Sequence, residues 1–209
     1  MKKIMILVFA SCVVFLSYAQ EKKDEEPKNK GFKKEKLFTG GGVTVSFFNG
    51  ATVLGLTPHF GYSLTHWLDA ALVFNFNYTS QRDYQEYGDK LRQTVYGPGA
   101  FIRLFPVRFL FAQAQFEHNF LHLKYIPASN GTYLPNQVTL NANSLLLGAG
   151  YTSGRSANNN TYYYLSVLFD VLAEKNSPYV GNLQRSIPII RAGYNIALFQ
   201  SRYSRKYRY

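Results

Sequence analysis

Apolar and polar residues alternate along most of the chain from Leu37 onward. In the segment 68–79, every second position is apolar: Leu68, Ala70, Leu72, Phe74, Phe76 and Tyr78. A period of two predicts β-strands with one apolar and one polar face. The alternation occurs in segments at about 38–48, 53–64, 68–79, 94–105, 109–125, 141–153, 161–173 and 187–199. No helical period is present, so we predict an all-β chain of eight strands.

The connections between these strands alternate in length. Short ones are predicted at 65–67 and 106–108. Long ones are predicted at 80–93, 126–140 and 174–186. Two connections deviate from this alternation. Asn49-Gly50 predicts a tight turn, although it falls on the long-loop side. The connection 154–160 falls on the short-turn side but has seven residues. Short turns at one rim and long loops at the other are typical of an outer-membrane barrel.

The polar face distinguishes a membrane barrel from a soluble, lipocalin-like ligand-binding barrel. It consists mainly of Gly, Ser, Thr, Asn and Gln, with isolated charges at Asp69, Arg103, Glu117, Asp170 and Arg191. A soluble barrel would place many Lys and Glu on such a face. Small polar residues instead suit the lumen of an eight-stranded barrel, which side chains just fill. We therefore predict an eight-stranded antiparallel up-and-down transmembrane β-barrel in the outer membrane.

The apolar face is heavily aromatic, and we expect it to contact lipid. The lipid-facing residues are predicted to include Leu72, Phe74, Phe76, Phe116, Phe169 and Tyr194. Trp67, in a short turn, and Tyr78, near a strand end, are predicted to lie at the membrane interface. Pro58 and Pro98 fall inside strands, where proline removes a ladder donor. We expect β-bulges at these two positions.

The N-terminal region predicts export. Lys2 and Lys3 precede a 13-residue apolar run, whereas a spanning helix needs about 20 residues. We predict a signal peptide over 1–19, with a membrane anchor and a lipoprotein signal at Cys12 as alternatives. Residues 20–36 hold seven Lys and five Asp or Glu, which predicts a disordered periplasmic linker. The barrel is predicted over 37–199.

The charge balance adds one feature, a basic tail. The formal net charge is +11, and residues 200–209 include Arg202, Arg205, Lys206 and Arg208. An exported barrel rarely meets nucleic acid, so we expect none as a partner. The expected partners are outer-membrane lipid and lipopolysaccharide, and a periplasmic or outer-membrane protein that the basic periplasmic tail could dock.

Two sets of lumenal charges are candidates for a polar network. Asp170 and Arg191 lie on neighbouring strands at nearly equal height, so we predict that they form an ion pair. Arg103 and Glu117 are too far apart for direct contact and need an intermediary such as Gln113 or Gln115. This network is expected to plug the lumen, and the alternative is a polar gate in a narrow pore.

No catalytic, cofactor or metal site is predicted. His118 and His122 share the outward face of one strand, but no further metal ligands are evident nearby. A lipid-hydrolysing site would need a Ser or carboxylate on that face, and Ser144 on the next strand points inward. Gly40, Gly41 and Gly42 form a glycine triplet, but no helix follows it, so we predict no phosphate-binding loop there. We therefore predict that the protein is not an enzyme.

Several stretches resemble a known family. They are GGGVTVSFFN (40–49), LTPHFGY (56–62), TVYGPGAFIRLF (94–105), FAQAQFEHN (111–119), SLLLGAGY (144–151) and the LFDVLAEKNSPY and IPIIRAGYNI blocks within 168–196. The chain resembles the small outer-membrane β-barrel proteins common in Bacteroidota. The resemblance implies an eight-stranded outer-membrane barrel and implies no activity.

The expected function is that of a structural or interaction protein of the outer membrane. It would act as an adhesion-type surface protein or as an accessory subunit of an envelope complex. A narrow channel for small solutes or ions is the first alternative. A lipid-modifying enzyme is the second alternative, although the sequence shows no set of catalytic residues for it.

Overall fold

The computed structural model describes residues 32–48, 51–129, 131–153, 161–181 and 185–199. The strands are β1 (Leu37–Phe48), β2 (Ala51–Ser63), β3 (Leu68–Arg82), β4 (Lys90–Val107), β5 (Leu110–Ile126), β6 (Asn136–Ser153), β7 (Tyr162–Asp170) and β8 (Ile189–Ala197). Each strand pairs with the next in antiparallel orientation, and β8 pairs with β1 to close the barrel. The prediction of an all-β, eight-stranded, antiparallel up-and-down barrel is therefore confirmed.

Several predicted segments lie outside the described residues. They are the signal peptide at 1–19, most of the linker, the Asn49-Gly50 turn, the connection 154–160 and the tail at 200–209. At the end of the linker, Lys34–Lys36 form a short 3₁₀ helix. The backbone N–H of Lys33 donates to the Tyr62 hydroxyl at 3.3 Å, so this end contacts β2. Among the described residues, no helix is long and apolar enough to cross a membrane.

The two faces of the barrel wall follow the alternation in the sequence. On β3, the side chain of Leu72 is 70% exposed on the outer wall, while Asn75 is completely buried in the lumen. Successive strand residues point to opposite faces, so one register places all the apolar positions outside. The predicted orientation of the faces is confirmed, because Phe74 and Phe76 are also on the outer wall.

The strands differ in length, and this changes two predicted loops. β4, β5 and β6 extend further towards the end of the barrel that carries the 83–89 and 127–135 connections. We call this the long-loop end, and the opposite end the short-turn end. The predicted loops at 80–93 and 126–140 are therefore too long. Polar and charged residues continue the pairing there, as where Arg92 lies opposite Lys124.

The two strand prolines cause no bulge, so that prediction is wrong. Pro58 pairs with Gly41, and Pro98 pairs with Phe74, in continuous registers. Near Pro58, the pairing of β2 with β3 is interrupted, and near Pro98, the pairing of β4 with β5 is interrupted. In both places the strands resume pairing in the same register. A strand residue directs its N–H to one neighbour only, so each proline removes one ladder bond. The pairing of β4 with β5 does shift register, but at a different place on β4, between Leu104 and Val107.

Candidate functional site

The described part of the lumen is layered. Towards the short-turn end, a buried aromatic cluster contains Phe105, Phe111, Tyr162 and Tyr164. Towards the long-loop end, a buried aliphatic cluster contains Val95, Leu121 and Ala142. The polar side chains of the lumen lie mainly between these layers. This arrangement places a polar network in an enclosed space, where each charge needs a partner.

Glu117, fully buried on β5, is the centre of this network. Its Oε1 accepts hydrogen bonds from Arg191 Nη2 at 3.0 Å and from Gln115 Nε2 at 2.6 Å. Its Oε2 accepts from Tyr179 Oη (2.7 Å), Asn75 Nδ2 (3.2 Å) and Asn119 Nδ2 (3.4 Å). One carboxylate thus gathers donors from strands β3, β5 and β8 and from the β7–β8 loop.

Glutamines connect this centre to the second lumenal arginine. Arg103 Nε donates to Gln113 Oε1 at 2.7 Å. Gln113 Nε2 donates to Gln115 Oε1 at 2.6 Å, and Gln115 in turn donates to Glu117. The two glutamines form the intermediary that the sequence predicts, because residues 113, 115 and 117 are successive inward positions of β5.

Arg103 is also surrounded by aromatic rings. Its guanidinium carbon lies 4.2 Å from the ring centroid of Tyr164, 4.4 Å from that of Phe101 and 5.0 Å from that of Phe111. Ring faces attract a guanidinium group, more strongly when both are removed from water. Asp69 lies directly opposite Arg103 in the β3–β4 register. This arginine therefore joins the aromatic layer to the polar network.

The predicted ion pair between Asp170 and Arg191 is wrong. Arg191 lies opposite Ser166, four residues from Asp170, or about 13 Å along the strand. The prediction assumed strands paired symmetrically about a loop at 174–186, whereas pairing ends at Leu168 and Ile189, and β7 continues two residues further to Asp170. Asp170 instead accepts a hydrogen bond from the Ser177 hydroxyl at 2.6 Å.

Asp170 and Glu174 accept hydrogen bonds from backbone N–H groups on the unpaired edge of β6. Strand β7 ends opposite Leu146, so the rest of β6 has no strand on that side. The backbone N–H of Leu145 donates to Asp170 at 3.1 Å, and that of Asn143 donates to Glu174 at 2.9 Å. These carboxylates replace the missing strand as hydrogen-bond acceptors.

The β7–β8 loop contributes a residue to the lumen that sequence reasoning missed. Tyr179 is buried, and its hydroxyl contacts Glu117, Arg191 and Asn77. Its ring packs in a cluster with Leu146, Leu168 and Ile189. A loop has no periodicity from which an inward direction could be read. Through Tyr179, the loop therefore fills part of the lumen.

Little space remains inside. A cavity of about 10 Å³ is lined by residues that include Thr57, His59, Arg103 and Arg191. Such a volume holds about one water molecule. His59 contributes a further polar contact, with 3.1 Å between its Nε2 and Asn195 Oδ1. At this level of the barrel, buried side chains thus fill most of the lumen.

The remaining predicted positions lie on the outside of the barrel. Phe116, Phe169 and Tyr194 are exposed on the outer wall. Trp67 lies in the β2–β3 turn, and Tyr78 is half-buried on β3. The outer wall therefore carries an apolar band, with Trp67 at the short-turn end.

Each of the two outward histidines has a hydrogen-bonding partner on β6. His118 Nδ1 is 2.8 Å from Asn143 Oδ1, and Asn143 Nδ2 donates to Glu174 at 3.3 Å. His122 Nδ1 is 3.1 Å from Thr139 Oγ1. Within the described ranges, no Ser or Cys hydrogen-bonds to His118, and no group of three His, Cys, Asp or Glu could hold a metal. The His118–Asn143–Glu174 contacts link β5 and β6 to the β7–β8 loop, and the His122–Thr139 contact links β5 to β6.

No protein-family model matches the chain, and no curated protein matches it. The resemblance to the Bacteroidota barrels therefore remains an expectation from sequence motifs.

Proposed function

We propose that this chain is an outer-membrane β-barrel protein with a structural or interaction role. It presents its long-loop end to the outside of the cell, either as an adhesion-type surface protein or as an accessory subunit of an envelope complex. The proposed role is not catalytic. Its proposed binding partners are outer-membrane lipid and a periplasmic or outer-membrane protein.

The apolar outer wall supports the membrane location. Large apolar side chains are exposed on all eight strands, among them Val45, Leu56, Leu72, Ile102, Phe116, Leu147, Leu165 and Ile190. A soluble monomer rarely exposes an apolar patch larger than a few hundred Å². A membrane barrel exposes such a band to hydrocarbon and encloses a polar lumen.

The filled lumen is the observation that carries a structural rather than a transport role. Both carboxylate oxygens of Glu117 accept hydrogen bonds from side chains. Arg191 on β8 forms an ion pair with Glu117 on β5 across the lumen. A conducting pore needs a continuous water path, whereas the cavity beside these residues holds about one water molecule.

The membrane location is tested by charging the outer wall. Leu72→Arg places a cation in the apolar band, so we expect a loss of about 2–4 kcal/mol in unfolding free energy in phospholipid vesicles. The matched control is Tyr87→Arg, because Tyr87 is 93% exposed in the β3–β4 loop. A soluble barrel would tolerate both changes equally and would be released by osmotic shock.

The closed lumen is tested in planar bilayers. The unmodified protein is expected to give no stable conductance. The polar lining favours a narrow channel as the second candidate, and a large stable conductance that changes in Arg191→Ala would establish it instead.

The interaction role is tested by cross-linking in intact outer membranes. Recovery of a stoichiometric protein partner with the full chain would support an accessory subunit. Recovery of the chain alone would support a free-standing surface protein.

A further inference from the structure

Four cationic side chains form a basic cluster on the outer wall at the long-loop end. They are Arg82, Lys90, Arg92 and Lys124, and all four are exposed. Arg82 lies directly opposite Lys90, and Arg92 lies directly opposite Lys124. Directly opposed like charges destabilise a sheet. The stability of the barrel alone therefore gives no reason for this arrangement.

Nearby carboxylates hydrogen-bond to backbone groups rather than to the basic cluster. Asp83 accepts from the backbone N–H of Gly88 at 2.7 Å, and Glu86 accepts from that of Thr132 at 3.1 Å. Asp89 is buried and accepts from the backbone of its own loop. In the part of the chain that the structure describes, none of the four cations forms an ion pair. All four cationic side chains are therefore exposed and free of ion pairs in the described residues.

The basic cluster lies just beyond the apolar band. On β4, Arg92 is four residues from the exposed Tyr96, a distance of about 13 Å along the strand. Tyr96 packs against Phe120 with 5.7 Å between ring centroids. Aromatic side chains of membrane barrels lie at the level of the headgroups. Long arginine and lysine side chains just beyond them reach the same level.

We propose that the basic cluster binds the phosphate groups of a lipid in the adjacent leaflet. This inference rests on the proposed membrane location. Guanidinium groups bind phosphate oxygens in bidentate fashion, and lysine adds a compact charge. The bound anion would relieve the repulsion between the opposed cations. The apolar band below would hold the acyl chains of the same lipid.

The test uses the full chain folded in mixed micelles and measures retained lipid by native mass spectrometry. The probes are phosphatidic acid and phosphatidylcholine with identical acyl chains, and inorganic phosphate. The test variant is Arg92→Gln/Lys124→Gln. The matched control is Lys175→Gln/Arg185→Gln, which removes the same charge from exposed positions in the β7–β8 loop.

The unmodified protein and the control are expected to retain phosphatidic acid over phosphatidylcholine. The test variant should lose about 25-fold in affinity, at about fivefold for each cation near a membrane surface. Equal losses in the control, or displacement of the lipid by millimolar inorganic phosphate, would overturn the inference. Failure to enter vesicles would instead refute the membrane location, whereas entry with unchanged lipid retention in the test variant refutes only the basic-cluster site.

Discussion

The middle of the lumen and the long-loop end satisfy their carboxylates in different ways. In the lumen, Glu117 accepts from side chains only, including the cation of Arg191. At the long-loop end, Asp170, Glu174 and Asp89 each accept from backbone N–H groups. Two regions of one barrel thus use the same chemical group for different purposes.

The difference follows from the strand ladders. Where every strand has two neighbours, the backbone N–H groups are used between strands, and a lumenal carboxylate finds only side chains. Where strands end, free N–H groups remain and a carboxylate can replace the missing neighbour. The lumen network should therefore behave as one coupled unit. The backbone contacts at the long-loop end should behave more locally, and Asp170 is joined to the network through Ser177, Ser144 and Asn119.

The largest effect is expected from breaking the lumenal ion pair. Arg191→Ala leaves the Glu117 carboxylate buried without its cation, at a cost of about 3–5 kcal/mol in unfolding free energy. Urea titration in vesicles measures it through the fluorescence of Trp67, the one tryptophan. The double variant Glu117→Gln/Arg191→Met removes both charges and should recover part of the loss. Equal losses in the single and double variants would contradict charge coupling.

A smaller loss is expected from the edge of β6. Asp170→Ala removes the acceptor of the Leu145 and Leu172 N–H groups and of the Ser177 hydroxyl. Unsatisfied donors at this site should cost about 2–3 kcal/mol. Hydrogen exchange should speed up at Leu145 and Leu172 and stay unchanged at lumenal strand amides. Faster exchange throughout the barrel would show that this end is coupled to the lumen after all.

The contacts that sequence could predict are those fixed by strand periodicity. Gln113 and Gln115 are successive inward positions between Arg103 and Glu117, so alternation alone gives their order. The partner of Arg191 depends on where the β7–β8 loop begins and ends, and loop bounds carry no periodic signal. Charged strand ends, such as Arg92 opposite Lys124, hide the alternation and are mistaken for a loop.

The loop residue in the lumen gives the next prediction. Tyr179→Phe keeps the ring but removes the hydroxyl that donates to Glu117 at 2.7 Å. A hydrogen bond to a charged group contributes about 1.5 kcal/mol or slightly more, so a loss of that order is expected in the urea titration. Tyr133→Phe, on an exposed loop tyrosine, is the control and should be neutral. A neutral Tyr179→Phe would mean that the loop does not support the network.

The smallest effect is local and depends on pH. Asp89 accepts from the N–H groups of Tyr84, Gln85 and Glu86 and from the Tyr125 hydroxyl. Desolvation opposes the charged carboxylate, but these hydrogen bonds outweigh it and lower the pKa of Asp89 from 3.8.

A lowered folded-state pKa stabilises the β3–β4 loop above pH 3.8, and this support is lost as the pH falls through the lower folded value. Hydrogen exchange measured by NMR should therefore show the Gln85 and Glu86 amides protected at pH 6 and losing protection below pH 3.8, beyond the intrinsic pH dependence of exchange. In Asp89→Asn, the protection should be weaker at pH 6 and independent of the carboxyl titration, with the lumenal amides unchanged. A pH dependence that survives the substitution would show that Asp89 is not its source.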